Sequence, residues 1–159
     1  MQKYVLVKLL EKLDEGTIFL ASEWPLHVTL VANFVVDWEA TNLYEKLSSL
    51  LERHSSIQVT AGDDEYFGPD QSIRVTVLNM NNELKSFHNN LVSVLKNANA
   101  VFDEPRFLEE GYRAHATVQR ELRLNKSDLV TIDELTIVDM FPEGDINKRK
   151  VLQTIKLSA

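Results

Sequence analysis

Cysteine is absent from the 159 residues. That excludes a disulfide scaffold, a thiolate metal site and a cysteine nucleophile, and it fits a reducing compartment. Glycine and proline are scarce, with 5 and 4 copies, and the chain contains no low-complexity tract and no evident linker. Long apolar runs are missing too. The first one, Tyr4-Val5-Leu6-Val7, is broken by Lys8 and then by Glu11-Lys12, which is too short and too charged for a signal peptide or a membrane span. A soluble cytoplasmic protein is expected. No His-x-x-x-His pair and no Asp/Glu cluster at ligand spacing occurs, so no metal and no other cofactor is expected. Basic residues are outnumbered, 17 against 24 acids, for a net charge of −7. Proteins that hold long nucleic acid by counterion release carry a basic stripe. The acidic balance therefore favours a small nucleotide or a short RNA end over a polymer, although it also serves solubility.

What is present is organised by a phrase that occurs twice. His27-Val28-Thr29-Leu30 and His115-Ala116-Thr117-Val118 lie in separate apolar stretches. Residues i and i+2 of a strand share a face, so each phrase can show an imidazole and a hydroxyl to a cleft while its aliphatic partners anchor the strand. With four histidines in the chain, two such phrases by accident is roughly a one-in-several-hundred event at average composition. A plainer reading is available, in which two half-buried sheet histidines have threonine neighbours suited to strands.

The remaining pattern predicts about eight strands and two helices. Strands are expected over 4–10, 17–21, 26–34, 57–61, 73–78, 113–121, 135–140 and 151–157, with a turn at Leu13-Asp14-Glu15-Gly16. Asp37 is a plausible N-cap for a helix reaching about His54, with Leu43, Leu47, Leu50 and Leu51 as its stripe. A second helix is expected from Asn82 to Ala98, burying Leu84, Phe87, Leu91 and Leu95. Loops are expected over 62–72 and 103–111. Each helix has one apolar stripe and should lie on one face of a sheet, and strands and helices do not alternate regularly, so the fold class is α+β. At this length one domain covering 1–159 is expected.

The chemistry that suits two imidazole–hydroxyl couples is general acid–base catalysis on a phosphodiester. Imidazoles titrate near neutrality, so one can accept a proton while the other donates one. Hydroxyls can donate to phosphate oxygens. The pH profile should be a bell with both limbs near neutrality.

The paired motifs resemble the His-x-Thr/Ser-aliphatic signature of the two-histidine (2H) phosphoesterase superfamily, which includes 2′-5′ RNA ligase-like proteins and cyclic nucleotide phosphodiesterases. Trp24-Pro25-Leu26 before the first motif and Gly111-Tyr112-Arg113-Ala114 before the second resemble the family's lead-in, with Ala114 where proline is frequent. The resemblance implies a bilobal, pseudo-two-fold arrangement of antiparallel sheets with outer helices and a central cleft. It implies His27 and His115 as the acid–base pair and Thr29 and Thr117 as phosphate-holding hydroxyls. Arg120 stands where some members carry an arginine and reads as a substrate-binding phosphate partner or as a surface charge, since regular strand alternation would turn it to the other face. Tyr112, Phe67 and Phe141 are candidates to stack on a base, with core packing as the alternative. Arg74 has the same two readings as Arg120. His54 and His88 read as structural or exposed, and Lys148-Arg149-Lys150 as a solvated turn or a steering patch. The expected function is hydrolysis of 2′,3′-cyclic or 2′-5′-type phosphodiesters by a monomer. A phosphate-ligand or RNA-end binding module and an RNA-terminus ligase or trimming enzyme stand as alternatives.

Overall fold

A computed structural model describes residues 2–158. The continuous apolar run in Gln2–Leu9 and the largely alternating pattern of His27–Val36 make β1 and β3, an antiparallel pair within a six-stranded sheet. The order in that sheet is β2-β10-β9-β1-β3-β6, where β2 is Ile18–Leu20, β6 Val101–Phe102, β9 Glu134–Asp139 and β10 Lys148–Lys156. A second sheet of four strands has the order β7-β5-β4-β8. Here β4 is Ile57–Phe67, β5 Ile73–Leu78, β7 His115–Thr117 and β8 Leu129–Ile132. Every strand pair in both sheets is antiparallel. The fold is α+β, built on two antiparallel sheets with one motif strand in each.

The helices form where leucine recurs at helical spacing. Helix α1, Ala40–Leu51, buries Leu43, Leu47, Leu50 and Leu51 and packs on β10. Helix α2, Asn82–Asn97, buries Leu84, Phe87, Leu91 and Leu95 against β3, each worth about 1.5–3 kcal/mol of transfer free energy. The Asn81 side chain caps α2 by accepting the Leu84 N–H at 2.9 Å. One apolar core, from Leu6 and Leu30 to Ala116 and Ile132, underlies both sheets and the helices. A second, small cluster lies on the opposite face of the first sheet, where Leu13, Phe19 and Trp24 cover Val5, Val7, Leu9 and Val138.

Several boundaries differ from the sequence pattern. The segment over 62–72 is a loop only from Gly68, because β4 continues through Asp63, Asp64 and Glu65 to Phe67. A bulge between Ala61 and Asp64 carries it. Gly62 permits the bulge, since a Cβ there would stand 2.7 Å from the Asn79 side-chain oxygen and 3.1 Å from the Val77 carbonyl. The acids then find arginine partners: Asp64 pairs with Arg74 and Arg123, and Glu65 with Arg113. Asp37 does not cap α1; the N-cap is Glu39, with no side-chain capping bond. The strand expected over 113–121 is only three residues long, because a tight turn at Gln119–Leu122 closes on itself by two backbone hydrogen bonds. β6 and β8, too short or too polar in flank to stand out, raise the strand number among the described residues to ten.

Candidate active site

Alternation in β3 buries Val28 and Leu30 in the main core and leaves His27 and Thr29 half-buried on the other face. In β7, Ala116 goes to the core and His115 and Thr117 to the opposite face. β3 and β7 belong to different sheets but lie against each other. The fold thereby brings the two phrases together, and a charge on His115 lowers the pKa of His27.

The imidazoles are held alike. The Nδ1–H of His27 donates to the Pro25 carbonyl at 2.8 Å, and that of His115 to the Arg113 carbonyl at 2.9 Å. A carbonyl can only accept, so in each ring the proton sits on Nδ1 and Nε2 carries the lone pair. Among the described residues neither Nε2 has a hydrogen-bond partner. Each ring also has an aromatic neighbour at a centroid distance of 4.7 Å, Trp24 for His27 and Phe67 for His115. Both pKa values lie below the ordinary histidine value, chiefly because burial disfavours the imidazolium; the backbone acceptor partly offsets this. The positive charge of Arg113 depresses His115 further.

Several sequence candidates are engaged otherwise. Tyr112 does not offer its ring to the cleft. Its hydroxyl donates to the Thr29 carbonyl at 2.8 Å, and its ring lies flat on His88 at 3.9 Å and 2°. Burial drives its pKa far above the usual phenol range. Arg120 is spent on protein partners: the Glu11 carboxylate at 2.8 Å and the Trp24 carbonyl at 3.1 Å. It reaches them because β7 has ended and the turn has broken the alternation. Arg74 pairs with Asp64 and lies in register with Tyr66, on the face opposite to Val75 and Thr117. Phe141 stacks under Lys3. The Lys148–Lys150 cluster is part of β10, and Arg149 donates to the carbonyls of Met140, Ile146 and Lys148.

His88 is the structural one. It is 1% exposed; its Nδ1–H donates to the Leu30 carbonyl at 2.7 Å and its Nε2 accepts the Glu109 N–H at 3.0 Å. His88 and Tyr112 thus hold consecutive carbonyls of the motif strand. Three neighbours of the site were not among the sequence candidates. Arg113 lies two residues before His115 and so on the same strand face, a signal that alternation carries. It pairs with Glu65 at 2.6 Å and sits over the Phe67 ring at 5.4 Å. Glu65 and Glu11 had no local signal, because each meets its arginine only through the fold. Both arginines beside the site therefore come with a carboxylate, in keeping with the acidic balance of the chain. Among the described residues no group of His, Asp and Glu is placed to hold a metal ion. Two hollows, of about 200 Å³ beside Lys12 and Glu134 and about 370 Å³ beside Arg53 and His54, are lined by neither motif imidazole.

The sequence profile of the 2′-5′ RNA ligase superfamily matches residues 8–137, a span that contains both motifs. The chain belongs to the 2′-5′ RNA ligase superfamily. This superfamily comprises phosphoesterase and ligase-like enzymes. Among solved structures, E. coli LigT complexed with 3′-AMP is similar, with a TM-score of 0.58 and 17% identity over 99% of both chains. LigT complexed with phosphate gives 0.53 and 17%, over 99% of this chain and 98% of that one. TT0787 of Thermus thermophilus gives 0.50 and 14%, over 99% and 98%. At these identities the likeness is one of fold. No curated protein matches the sequence. No helix among the described residues of this superfamily member is long and apolar enough to cross a membrane.

Proposed function

We propose that this superfamily member hydrolyses 2′,3′-cyclic or 2′-5′-linked phosphodiesters of small nucleotides or RNA ends. His27 and His115 form the acid–base pair, and Thr29 and Thr117 are the phosphate donors. One observation carries the reading: two adjacent imidazoles, each anchored through Nδ1 to the carbonyl two residues earlier, each with an unpartnered Nε2. One Nε2 takes a proton from water as its oxygen attacks phosphorus. The other, protonated, delivers its proton to the ribose oxygen as the P–O bond breaks. The threonine hydroxyls donate to the non-bridging oxygens, whose charge grows in the transition state. No metal enters this scheme. The chain works as one domain and a monomer, in the reducing cytoplasm that its lack of cysteine suits. A small nucleotide fits the superfamily, since LigT has been solved with 3′-AMP and with phosphate.

The test is a panel of 2′,3′-cyclic nucleotides and 2′-5′ dinucleotides, with products resolved by phosphorus NMR. His27→Ala and His115→Ala should each lower kcat by about 10²–10⁴ while the fold is retained. Saturable binding without product would make the chain a binding module. Affinity for an RNA end that falls steeply with salt, joined to end-joining or trimming, would favour the RNA-terminus reading. Full activity in the double histidine variant would reject the acid–base pair.

A further inference from the structure

We propose that Arg120 and Glu11 form a clasp that makes the second motif's chain position His27 of the first. Arg120 follows Thr117 by three residues, and its side chain crosses to the opposite lobe. There it donates to the Trp24 carbonyl at 3.1 Å and to Glu11 Oε1 at 2.8 Å. The same Glu11 oxygen accepts the Leu26 N–H at 2.7 Å. The two anchored residues, Trp24 and Leu26, bracket Pro25, and the Pro25 carbonyl is the acceptor that orients the His27 ring. Trp24 also packs its own ring on His27. The clasp therefore holds both things that fix this imidazole, its tautomer-setting acceptor and its aromatic neighbour.

A second observation points the same way. Arg120 has φ of 58° in the two-residue turn between Gln119 and Leu122, whose N–H groups donate to each other's carbonyls at 2.9 and 2.8 Å. A long β-unbranched side chain is uncommon in this left-handed region, where glycine or asparagine would sit without strain. Such conformations persist where surrounding contacts hold them. Here the contacts are the Glu11 carboxylate and the Trp24 carbonyl, neither of them local in sequence. Arg120 is a positioning residue: its guanidinium is held by the Glu11 carboxylate and the Trp24 carbonyl of the first lobe.

The experiment compares Glu11→Gln, Arg120→Gln and the double variant, following the imidazole Cε1–H signals of His27 and His115 by proton NMR titration. This part does not depend on turnover. Loosening the bracket lets water reach His27, so both single variants should raise its pKa toward 6.5, and the double variant should raise it no further. His115, tied to Arg113, should stay where it is. A pure charge effect would act with opposite signs, because loss of the carboxylate lowers a nearby histidine and loss of the guanidinium raises it. Opposite signs, additive shifts or an equal shift at His115 would each overturn the clasp. Arg120→Lys, which keeps the charge and one reaching donor, should give an intermediate shift and stands in if Arg120→Gln does not fold.

The kinetic arm rests on the phosphodiesterase reading. There kcat should fall about tenfold in either single variant and in the double, with KM little changed, because misplacing a reacting group costs rate. If Arg120→Gln alone raised KM and weakened inhibition by inorganic phosphate, Arg120 would be a phosphate ligand and the clasp would be wrong. If the wild-type chain turned over no substrate, the phosphodiesterase reading would fail while the titration still decided the clasp.

Discussion

Replacing His88 by phenylalanine tests how the motif strand is held. The ring stays flat and aromatic, so stacking on Tyr112 is largely kept. Two hydrogen bonds go: Nδ1–H to the Leu30 carbonyl at 2.7 Å and the Glu109 N–H to Nε2 at 3.0 Å. The Leu30 carbonyl lies in the core and loses its side-chain donor, at about 1–3 kcal/mol for an unsatisfied buried group. The Glu109 N–H belongs to an exposed residue and can turn to water, so its loss costs about 1 kcal/mol. The sum is about 2–4 kcal/mol, a large share of the 5–15 kcal/mol typical of a domain. Urea unfolding at pH 7.5 measures it. A second signature lies in pH. The folded-state pKa of His88 is lowered by burial, so the unfolded chain binds this proton more readily. Its effect on stability is therefore neutral above about 6.5, the unfolded value, and becomes a loss as pH falls from there toward the folded pKa. His27, His54 and His115 are lowered too and act with the same sign. Wild type should lose stability between pH 7 and 5, and His88→Phe should lose less over that interval. A variant within about 0.5 kcal/mol of wild type at pH 7.5, the range of an ordinary surface change, would refute the reasoning.

Three further outcomes are expected. Thr29→Val and Thr117→Val should each lower kcat by about one to two decades, as loss of one donor to the phosphate, and unchanged kcat in both would remove the hydroxyls from the scheme. Gly111→Ala should destabilise the fold by more than about 2 kcal/mol, since the added Cβ would collide with the Arg106 carbonyl and push Tyr112 off its Thr29 bond; a variant melting with wild type would argue against that contact. The reaction needs one neutral and one protonated imidazole, and burial lowers both pKa values. The kcat/KM optimum should therefore fall below pH 6.5, acid of the bell that free imidazoles would give, while an anionic substrate raises both values and moves the kcat optimum to higher pH. An optimum for kcat/KM above pH 7 would contradict the burial of the pair.

The sequence by itself determined which residues share a face. Alternation in 27–30 and 115–118 separates imidazole and hydroxyl from aliphatic neighbours whatever the tertiary fold, because successive side chains of a strand point oppositely. The leucine spacings of 43–51 and 84–95 likewise determined two one-sided helices, since 3.6 residues per turn is a local property. Only the tertiary structure decided what each polar group would meet. Arg120 looked like a phosphate ligand by position and is instead held by Glu11, a partner 109 residues away. Tyr112 looked like a stacking platform and is instead spent on Thr29 and His88. The acids of 63–65 looked like loop and are strand, because Arg74, Arg113 and Arg123 come from other segments to pair two of them. Periodicity is set by neighbours in the chain, whereas an ion pair or a hydrogen bond needs a distance under 4 Å that only chain folding can supply.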